Sequence, residues 1–539
     1  MSAERPRVLV LGAGLAGLTV ARQLARSGFE VVLLEKSRLA GGKAGSRTAQ
    51  PGVDGDPVPG VLYEHGYHIF APWYRNMLRL TEELGITLRP VSRWHYKRLA
   101  AGADDGWKGL YLPSTPHELL DVLRNSPLPA ADTLLYFYFV LDMIGMPLSQ
   151  KAVLDRVTRL GLMRGRWYAT ESLPVIEEES ILKAAAVPVH EMSAYTAKIL
   201  SSYFLYTLRP SSLLRMLGSA VAPQPSLFML PGDLQATLIE PFVAAVRKDG
   251  VDLRYEHAAT KLVLAPEPVT GARRRIAGVE VEIDATAGGG AVRRELMTAD
   301  AFVVATPLDV SQQLLAVSEL LAHAPALGRI NSLRTAPMAA LYLTLRDGVR
   351  PELPEEHCFL MGGEYGLSFI DLRSHWQNPP YALSFISSNF APLRHLSREE
   401  QYACLIGEIE RFLGIGRADV AHWCLFPNAD PGQQLFINTV GSWTDRPDVD
   451  CENVDNLYFA GDWVKNRIDL ACMEGAVSAA LQAAHVIGTR HAHRPGVRVP
   501  EPPLVAGRYP PALVRLVVRL LSPLALATLL WARVRGSDS

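Results

Sequence analysis

The chain lacks most of what would make it a disulfide-stapled, metal-bound or nucleic-acid-binding protein. Its 539 residues carry five cysteines, and Cys358, Cys404, Cys424, Cys451 and Cys472 form no Cys-x-x-Cys pair. That pattern argues against a zinc site and for a reducing compartment. Charge of one sign is missing too. The 54 Lys and Arg face 55 Asp and Glu, a net charge of −1, which makes no electrostatic case for nucleic acid. No Gly-x-Ser-x-Gly, His-Glu-x-x-His or cysteine cluster is present, which disfavours a thiol or metal hydrolase. The N-terminus has no apolar signal segment, so secretion is not expected. Internal repeats and long low-complexity tracts are absent. A chain of this length exceeds one core, and two or more lobes are expected. Hydrophobic content of 48% against 20% charged describes a globular protein somewhat richer in apolar residues than usual.

What is present begins almost at once. An apolar strand, Val8 to Leu11, runs into Gly12-Ala13-Gly14-Leu15-Ala16-Gly17. A helical stretch, Leu18 to Ser27, follows, then Gly28 and a second apolar strand, Val31 to Leu34, ending on Glu35. A lone Gly-x-Gly-x-x-Gly is a weak signal; one bracketed by two strands and closed by an acid is the dinucleotide-binding βαβ unit in full context. Gly12 allows the tight turn, Gly14 lets the backbone approach a pyrophosphate, and Gly17 lets helix and strand pack closely. The helix N-terminus offers N–H groups and a positive dipole end to phosphate. Glu35 stands where a carboxylate takes the adenosine ribose hydroxyls, and no Arg directly follows it to welcome a 2′-phosphate.

A second glycine pair, Gly41-Gly42 with Lys43, comes soon after. It resembles the extended motif of the FAD-binding amine-oxidase and carotenoid-desaturase superfamily, in which this turn also faces the cofactor. Further on, Glu64-x-Gly66-x-His68-Ile69-Phe70 with Tyr74 and Asn76 is similar to plant- and cyanobacterial-type phytoene and ζ-carotene desaturases. The resemblance implies that Tyr67, His68 and Ile69 border the isoalloxazine, and makes His68 the candidate catalytic residue. From the residues alone, His65 and His68 read equally as ordinary hydrogen-bonded histidines. Ala13, Leu15, Ala16, Lys36, Gly42, Lys43 and Ala44 complete the cofactor-binding set around the two glycine turns. The strand-turn-strand Val251 to Leu264 matches the superfamily layout that brings one residue, here Ala259, to the adenine through its backbone. Ala299 to Pro307, with Thr306, resembles the superfamily's Val-Val-x-Ala-x-Pro stretch. The late signature Leu457-Tyr458-Phe459-Ala460-Gly461-Asp462-Trp463, followed by Met473-Glu474-Gly475-Ala476, implies cofactor contacts at Gly461, Asp462 and Met473. There a strand delivers a carboxylate, and a helix small on one face (Ala471, Gly475, Ser478, Ala479) brings its positive end to the flavin. No metal site is expected.

Between these signatures lie two regions without motifs. Residues 116 to 230 read as mostly helical. Their run Leu134 to Leu141 is apolar all round, so it is buried, sits on a membrane or lines an apolar channel. Ala194 to Leu217 continues in the same vein. In the second region, residues 310 to 430, Ala339 to Leu345, Gly366 to Asp371 and Tyr381 to Ser388 read as sheet strands, with Ser397 to Phe412 an amphipathic helix. The tail, Ala512 to Trp531, is almost wholly apolar, yet Arg515 and Arg519 share one helical face and Pro523 interrupts it. It reads as an interfacial helix on an anionic surface, with packing against the protein and a true span as the alternatives.

The resulting expectation is an α/β fold. A Rossmann-type FAD-binding lobe of the amine-oxidase (GR2) kind is built from residues 1–112, 231–310 and 431–495. A helical substrate or membrane lobe occupies 113–230, a substrate-lobe sheet 311–430, and a linker with an amphipathic tail 496–539. By resemblance the protein is an FAD-dependent oxidoreductase acting on CH–CH bonds of a long apolar isoprenoid of the phytoene or ζ-carotene type. Hydride would pass to flavin N5, with a membrane quinone or O2 as electron acceptor. Peripheral attachment to the cytoplasmic face of the inner membrane is expected. A hydroxysqualene dehydroxylase or carotene isomerase, a flavin amine oxidase, and a non-catalytic membrane flavoprotein remain as rivals.

Overall fold

The computed structural model describes residues 5–91, 94–99, 106–110, 116–174, 186–207, 227–266, 273–283 and 292–536. The first lobe is organised by a five-stranded parallel sheet. Its strands are β1 (Arg7–Leu11), β2 (Glu30–Leu34), β3 (Asp252–Arg254), β4 (Ala301–Val304) and β5 (Leu457–Phe459), in the spatial order β3-β2-β1-β4-β5. Val8 to Leu11 pairs with Val31 to Leu34 on one side and Ala301 to Val304 on the other. Buried on both faces, these strands are runs of Val, Leu and Phe rather than alternating sequences. The chain leaves β1 in one direction and returns on its other side at β4. The carboxyl end of β1 is therefore a topological switch point, where open α/β sheets bind ligands.

Helix α1 (Leu15–Arg26) covers β1 and packs on α5 (Met473–Arg490). α1 begins three residues earlier than the expected Leu18, because the third glycine sits inside the first turn and Gly14 is the N-cap. An antiparallel meander, His257–Leu264, Ile276–Ile283 and Arg293–Met297, lies beside this sheet. The helical stretch after Leu234 opens with a π turn, Gln235–Ile239, before Glu240–Lys248.

The second lobe is an eight-stranded sheet in the order Gly55–Asp56, Val420–Phe426, Ala339–Leu345, Leu383–Ser387, Leu367–Asp371, Cys358–Met361, Trp94–Arg98 and Lys108–Leu110. The last two strands correct the expectation that residues 1–112 belong to the cofactor lobe. Trp94–Arg98 runs parallel to Cys358–Met361, with Tyr96 opposite Phe359. Three residues of local alternation carry no information about which of two sheets receives them.

The helical part contains α2 (Arg75–Glu83), α3 (Ala130–Gly145), α4 (Ala194–Thr207) and α6 (Pro511–Gly536). The stretch of the Ala194 to Leu217 reading beyond Thr207 lies outside the described residues. α3, the element apolar all round, is wrapped by α4 and α6; Leu135, Tyr138 and Phe139 are buried. The tail docks on it. Val514, Val518, Ala525 and Leu529 join the α3 cluster, and the Arg515 guanidinium donates to the Gly145 carbonyl at the end of α3 from Nε (3.3 Å) and Nη2 (3.2 Å). Pro523 does not interrupt α6 as expected. Proline leaves the carbonyl of the residue four back without its usual donor, and here the Ser522 hydroxyl donates to that Arg519 oxygen at 2.9 Å. By length and composition Pro511–Val534 is sufficient to cross a membrane. Its outer face exposes Leu513, Leu516, Leu520 and Leu524.

Candidate functional site

At the switch point the backbone is shaped by steric necessity. A methyl group on Gly17 would lie 1.7 Å from the Gly12 carbonyl oxygen, so only glycine lets α1 pack this close to the turn. A methyl on Gly14, by contrast, meets nothing nearer than the Gly41 carbonyl at 3.9 Å; the space in front of that residue is open. Gly14 caps α1 without a side-chain hydrogen bond and no acid lies in the first turn. The first N–H groups of α1 are left for an anion. The second glycine turn faces the first: Gly14 and Gly41 form a parallel bridge, and Gly41 and Gly42 adopt positive φ of 117° and 58°.

Glu35 ends β2 beside this turn. Its Oε2 accepts the Ala13 N–H and its Oε1 the Ser37 N–H, both at 2.9 Å, which fixes the carboxylate while each oxygen keeps a lone pair for a ribose hydroxyl. Lys36 reaches back along the same wall toward Gly432. The Glu35 carbonyl accepts the His257 N–H, which brings Ala259 two residues from that contact. Thr306 follows β4; the Ala305 carbonyl presses on Gly12. The Thr306 carbonyl receives the Trp463 indole N–H at 3.0 Å, so Trp463 ties the Gly461-Asp462 turn to the end of β4. Leu15, Ala16 and Ala44 are buried in the wall, and Lys43 is half-buried.

α5 arrives from the far side. Its N-cap, Cys472, accepts the Gly475 N–H at 3.3 Å, and a methyl on Gly475 would meet the Leu470 carbonyl at 2.3 Å. Met473 is the first residue of the helix and is half-buried. The glycine cradle, an α1 N-terminus with no acid in its first turn, the N-terminus of α5, a fixed acid at the end of β2 and the half-buried Asp462 fit the phosphate, ribose and flavin parts of FAD.

The segment expected to border the flavin is threaded between the lobes. The His65 ring shares a hydrogen bond with the Gln433 carbonyl (2.7 Å), and Asn428 donates to the His65 carbonyl (2.8 Å). The Tyr67 hydroxyl reaches the large sheet, 2.6 Å from both His357 Nε2 and Ser368 Oγ. Burial pushes the Tyr67 phenol up and the His357 imidazole down to about 3. His68 Nδ1 is buried with no hydrogen-bond partner, and burial pushes the ring down to about 4; it is a neutral imidazole at physiological pH. Ile69 is half-buried next to it.

Three groups outside the expected set of site residues hold this region. Glu64, pushed up to about 8 by burial, accepts the Leu234 N–H at 2.7 Å. Glu474 clamps the start of α2. Arg446 is buried among the cofactor-side loops. Glu474 stands inside a quoted motif, but its partners, Asn76 and Met77, lie 398 and 397 residues away. Arg446 has no flanking signal at all.

Fold and site define a two-lobed flavoprotein oxidoreductase, with a Rossmann-type cofactor lobe and a mixed sheet-and-helix second lobe. The model of the flavin-containing amine oxidoreductase family matches residues 15–488, and the chain belongs to that family; FAD is its cofactor. Among characterised proteins it is 24% identical over 507 residues to the 15-cis-phytoene desaturase of Synechococcus elongatus, covering 90% of this chain and 96% of that one. A shorter match, 43% over 79 residues, 15% of this chain and 14% of the other, is to the ζ-carotene desaturase of a Synechocystis strain. Among solved structures, a putrescine oxidase triple mutant aligns with a TM-score of 0.59 at 15% identity over 90% of this chain and 99% of that one. The cyclohexylamine oxidase of Brevibacterium oxydans aligns with a TM-score of 0.54 at 15% identity, over 91% and 100%. The likeness to these amine oxidases is one of fold.

Proposed function

We propose that the protein dehydrogenates a long apolar isoprenoid of the carotene kind. The observation that carries this reading is a row of rings that leaves the flavin-side segment at Tyr67, crosses to the large sheet and the helices, and returns at Trp73. Tyr67 meets His357 at 5.2 Å, His357 meets Phe359 at 4.7 Å, and Phe359 meets Trp94 at 5.9 Å. Trp94 meets Phe204 at 6.0 Å, and Phe204 meets Trp73 at 6.4 Å. On the same helix as Phe204, Tyr206 is exposed and meets Tyr509 at the foot of α6 at 5.3 Å. An aromatic wall of this length suits a flat polyene better than a small cation, whose recognition uses a charged or cage-like anchor.

FAD, when bound, supplies the two-electron acceptor for hydride lost from a saturated carbon. The chain's own residues position the substrate, exclude water and hold protons still. His68 and His357 are kept neutral and Tyr67 is kept protonated, so none of these three groups titrates near pH 7. The exposed leucines of α6 and the neighbouring Tyr206 support entry of the substrate from a bilayer on the cytoplasmic side of the inner membrane, with a membrane quinone or O2 taking the electrons. The deciding experiment is an anaerobic absorbance titration of the FAD-loaded protein in liposomes with phytoene, ζ-carotene, squalene-type and amine substrates. Flavin bleaching by a carotene, with a longer polyene appearing, is the expected result. Bleaching by an amine alone refutes the isoprenoid reading. No bleaching, with isomerisation or dehydroxylation by pre-reduced protein, reassigns the redox direction.

A further inference from the structure

Arg446 follows the short helix Ser442–Asp445 and is 2% exposed. One guanidinium nitrogen, Nη2, donates to Asn438 Oδ1, and the group lies over the Phe436 ring at 4.8 Å. Nε and Nη1 are buried and have no acceptor anywhere in the described chain. A buried cation with two orphaned donors is costly unless something supplies the acceptors. None of the acids around it reaches Nε or Nη1, and two of them, Asp155 and Asp469, are engaged elsewhere. Asp155 accepts from the Ser193 hydroxyl and from the Thr444 N–H and hydroxyl. Asp469 accepts the Tyr195 hydroxyl at 2.9 Å.

The position of Arg446 identifies the missing acceptor. The next residue, Pro447, accepts the Lys465 N–H through its carbonyl at 2.9 Å, which pins Arg446 beside the turn that carries Asp462. The acids that act on it electrostatically are Asp469, Asp462 and Asp155; Cys472, whose thiol burial keeps protonated, is the N-cap of α5 at the far end of the same turn. The unpaired guanidinium edge thus sits on the loop bonded to the Asp462 turn, and that turn leads into the N-terminus of the 18-residue α5, whose first-turn acid, Glu474, is turned to the start of α2. The guanidinium edge and the helix N-terminus each favour negative charge.

We propose that Arg446 is the cation that stabilises reduced FAD, through its Nε and Nη1 edge, at the N1 and C2-carbonyl side of the isoalloxazine. Two electrons and one proton arrive together as hydride, N1 stays deprotonated, and the ring gains one negative charge. Arg446 keeps its own proton throughout and neutralises that charge in place. The inference rests on FAD and is independent of which substrate supplies the hydride.

The test uses FAD-loaded wild type, Arg446→Lys and Arg446→Met. Three quantities are measured on each: the FAD dissociation constant, the two-electron midpoint potential, and the dissociation constant of the sulfite adduct, which needs positive charge at the same edge. In Arg446→Met, FAD binding changes by only a few fold, while sulfite binding and the reduction equilibrium each weaken about tenfold or more. A tenfold change corresponds to a potential drop of about 30 mV for a two-electron couple. Arg446→Lys recovers most of both. Unchanged potential and sulfite affinity in Arg446→Met overturn the proposal. So does a lost affinity for FAD with an unchanged potential in Arg446→Lys, which would make the residue a pyrophosphate anchor. Should Arg446→Met fail to fold, the wild type still decides: no sulfite adduct, and a potential no higher than that of free FAD in the same cell, overturns it.

Discussion

Glu474→Gln is a substitution whose effect changes size with pH, and the structure says in which direction. Glu474 is 0% exposed. Its Oε1 accepts the Asn76 N–H at 3.0 Å and the Asn76 side-chain amide at 2.7 Å, while its Oε2 accepts the Met77 N–H at 2.8 Å. These are first-turn donors of α2, whose N-cap Tyr74 gives no side-chain cap. Burial outweighs the three bonds and pushes the carboxyl up to about 7, from an ordinary value of 4.5. With the folded value raised, stability is fully present below 4.5 and is lost as pH rises through about 7. At about 1.4 kcal/mol per pH unit, the ionised form at pH 8 costs about 3 kcal/mol relative to the neutral acid. Glutamine is neutral at every pH, but it sets its amide against the Met77 N–H and orphans that donor, a penalty of about 1–3 kcal/mol. At pH 8 the two effects nearly cancel, and the variant should melt within a degree or two of wild type. At pH 5.5 the wild-type acid has escaped its charging cost, and the variant should be about 2 kcal/mol less stable, a melting point lower by a few degrees. The assay is the thermal release of FAD fluorescence at both pH values. Other buried groups, Glu64 among them, are common to both proteins and drop out of the difference. A deficit equal at pH 8 and 5.5 would refute the raised titration, and no deficit at either pH would refute the clamp.

Gly17→Ala and Gly14→Ala separate folding from binding. The first forces a methyl to 1.7 Å from the Gly12 oxygen and should abolish cooperative folding. The second fits sterically and should keep the wild-type circular dichroism while raising the FAD dissociation constant about tenfold or more, roughly 1.4 kcal/mol; wild-type affinity there would mean no close approach at Gly14. His68 lies near 4, so the rate of flavin reduction should show no His68 inflection between pH 6 and 8; an inflection that vanishes in His68→Gln would contradict the burial argument. On α6, replacing exposed Leu520 and Leu524 with Asp should release the protein from anionic liposomes in a flotation assay with little change in melting. Val518→Asp, on the buried face, should lower the melting point instead. Unaltered flotation of the double Asp variant would exclude α6 as the attachment face.

What could be read from the chain was local. The βαβ unit, the Ala301 to Val304 strand and the Leu457-to-Ala476 signature are contiguous patterns in which glycine spacing and apolar runs encode conformation directly. The same locality set the errors. Gly17 was placed before the helix because a glycine ordinarily punctuates, whereas here it is needed inside the first turn against Gly12. Pro523 reads as a break in the sequence because the Ser522 hydroxyl's rescue of the Arg519 carbonyl is invisible to a propensity argument. Trp94 to Arg98 went to the wrong lobe because sheet membership is decided by a partner more than 260 positions away, at Cys358 to Met361. The site's polar wiring was the least legible part. Tyr67 finds His357 and Ser368 across 290 and 301 residues, and no periodicity links them.

The distribution of charge across the site bears on what chemistry it supports. On the cofactor side the chain sets an α1 N-terminus with no first-turn acid, the N-terminus of α5 and Arg446 with two unpaired donors, beside the carboxylate of Asp462. On the substrate side burial strips charge away: His68 and His357 are neutral, Tyr67 is held protonated, and Glu64 is pushed up to about 8. A site built for amine oxidation or for proton abstraction by a strong base would invert this, with a poised base or an anionic anchor beside the substrate. Here the driving force for C–H cleavage has to come from the acceptor's side, by making the reduced flavin more stable than it is in water. Raising the potential through Arg446 and leaving the substrate wall inert are therefore two halves of one arrangement. A variant that adds a charged base at His357 should gain nothing in the rate of flavin reduction, while loss of Arg446 should slow that rate in proportion to the fall in potential.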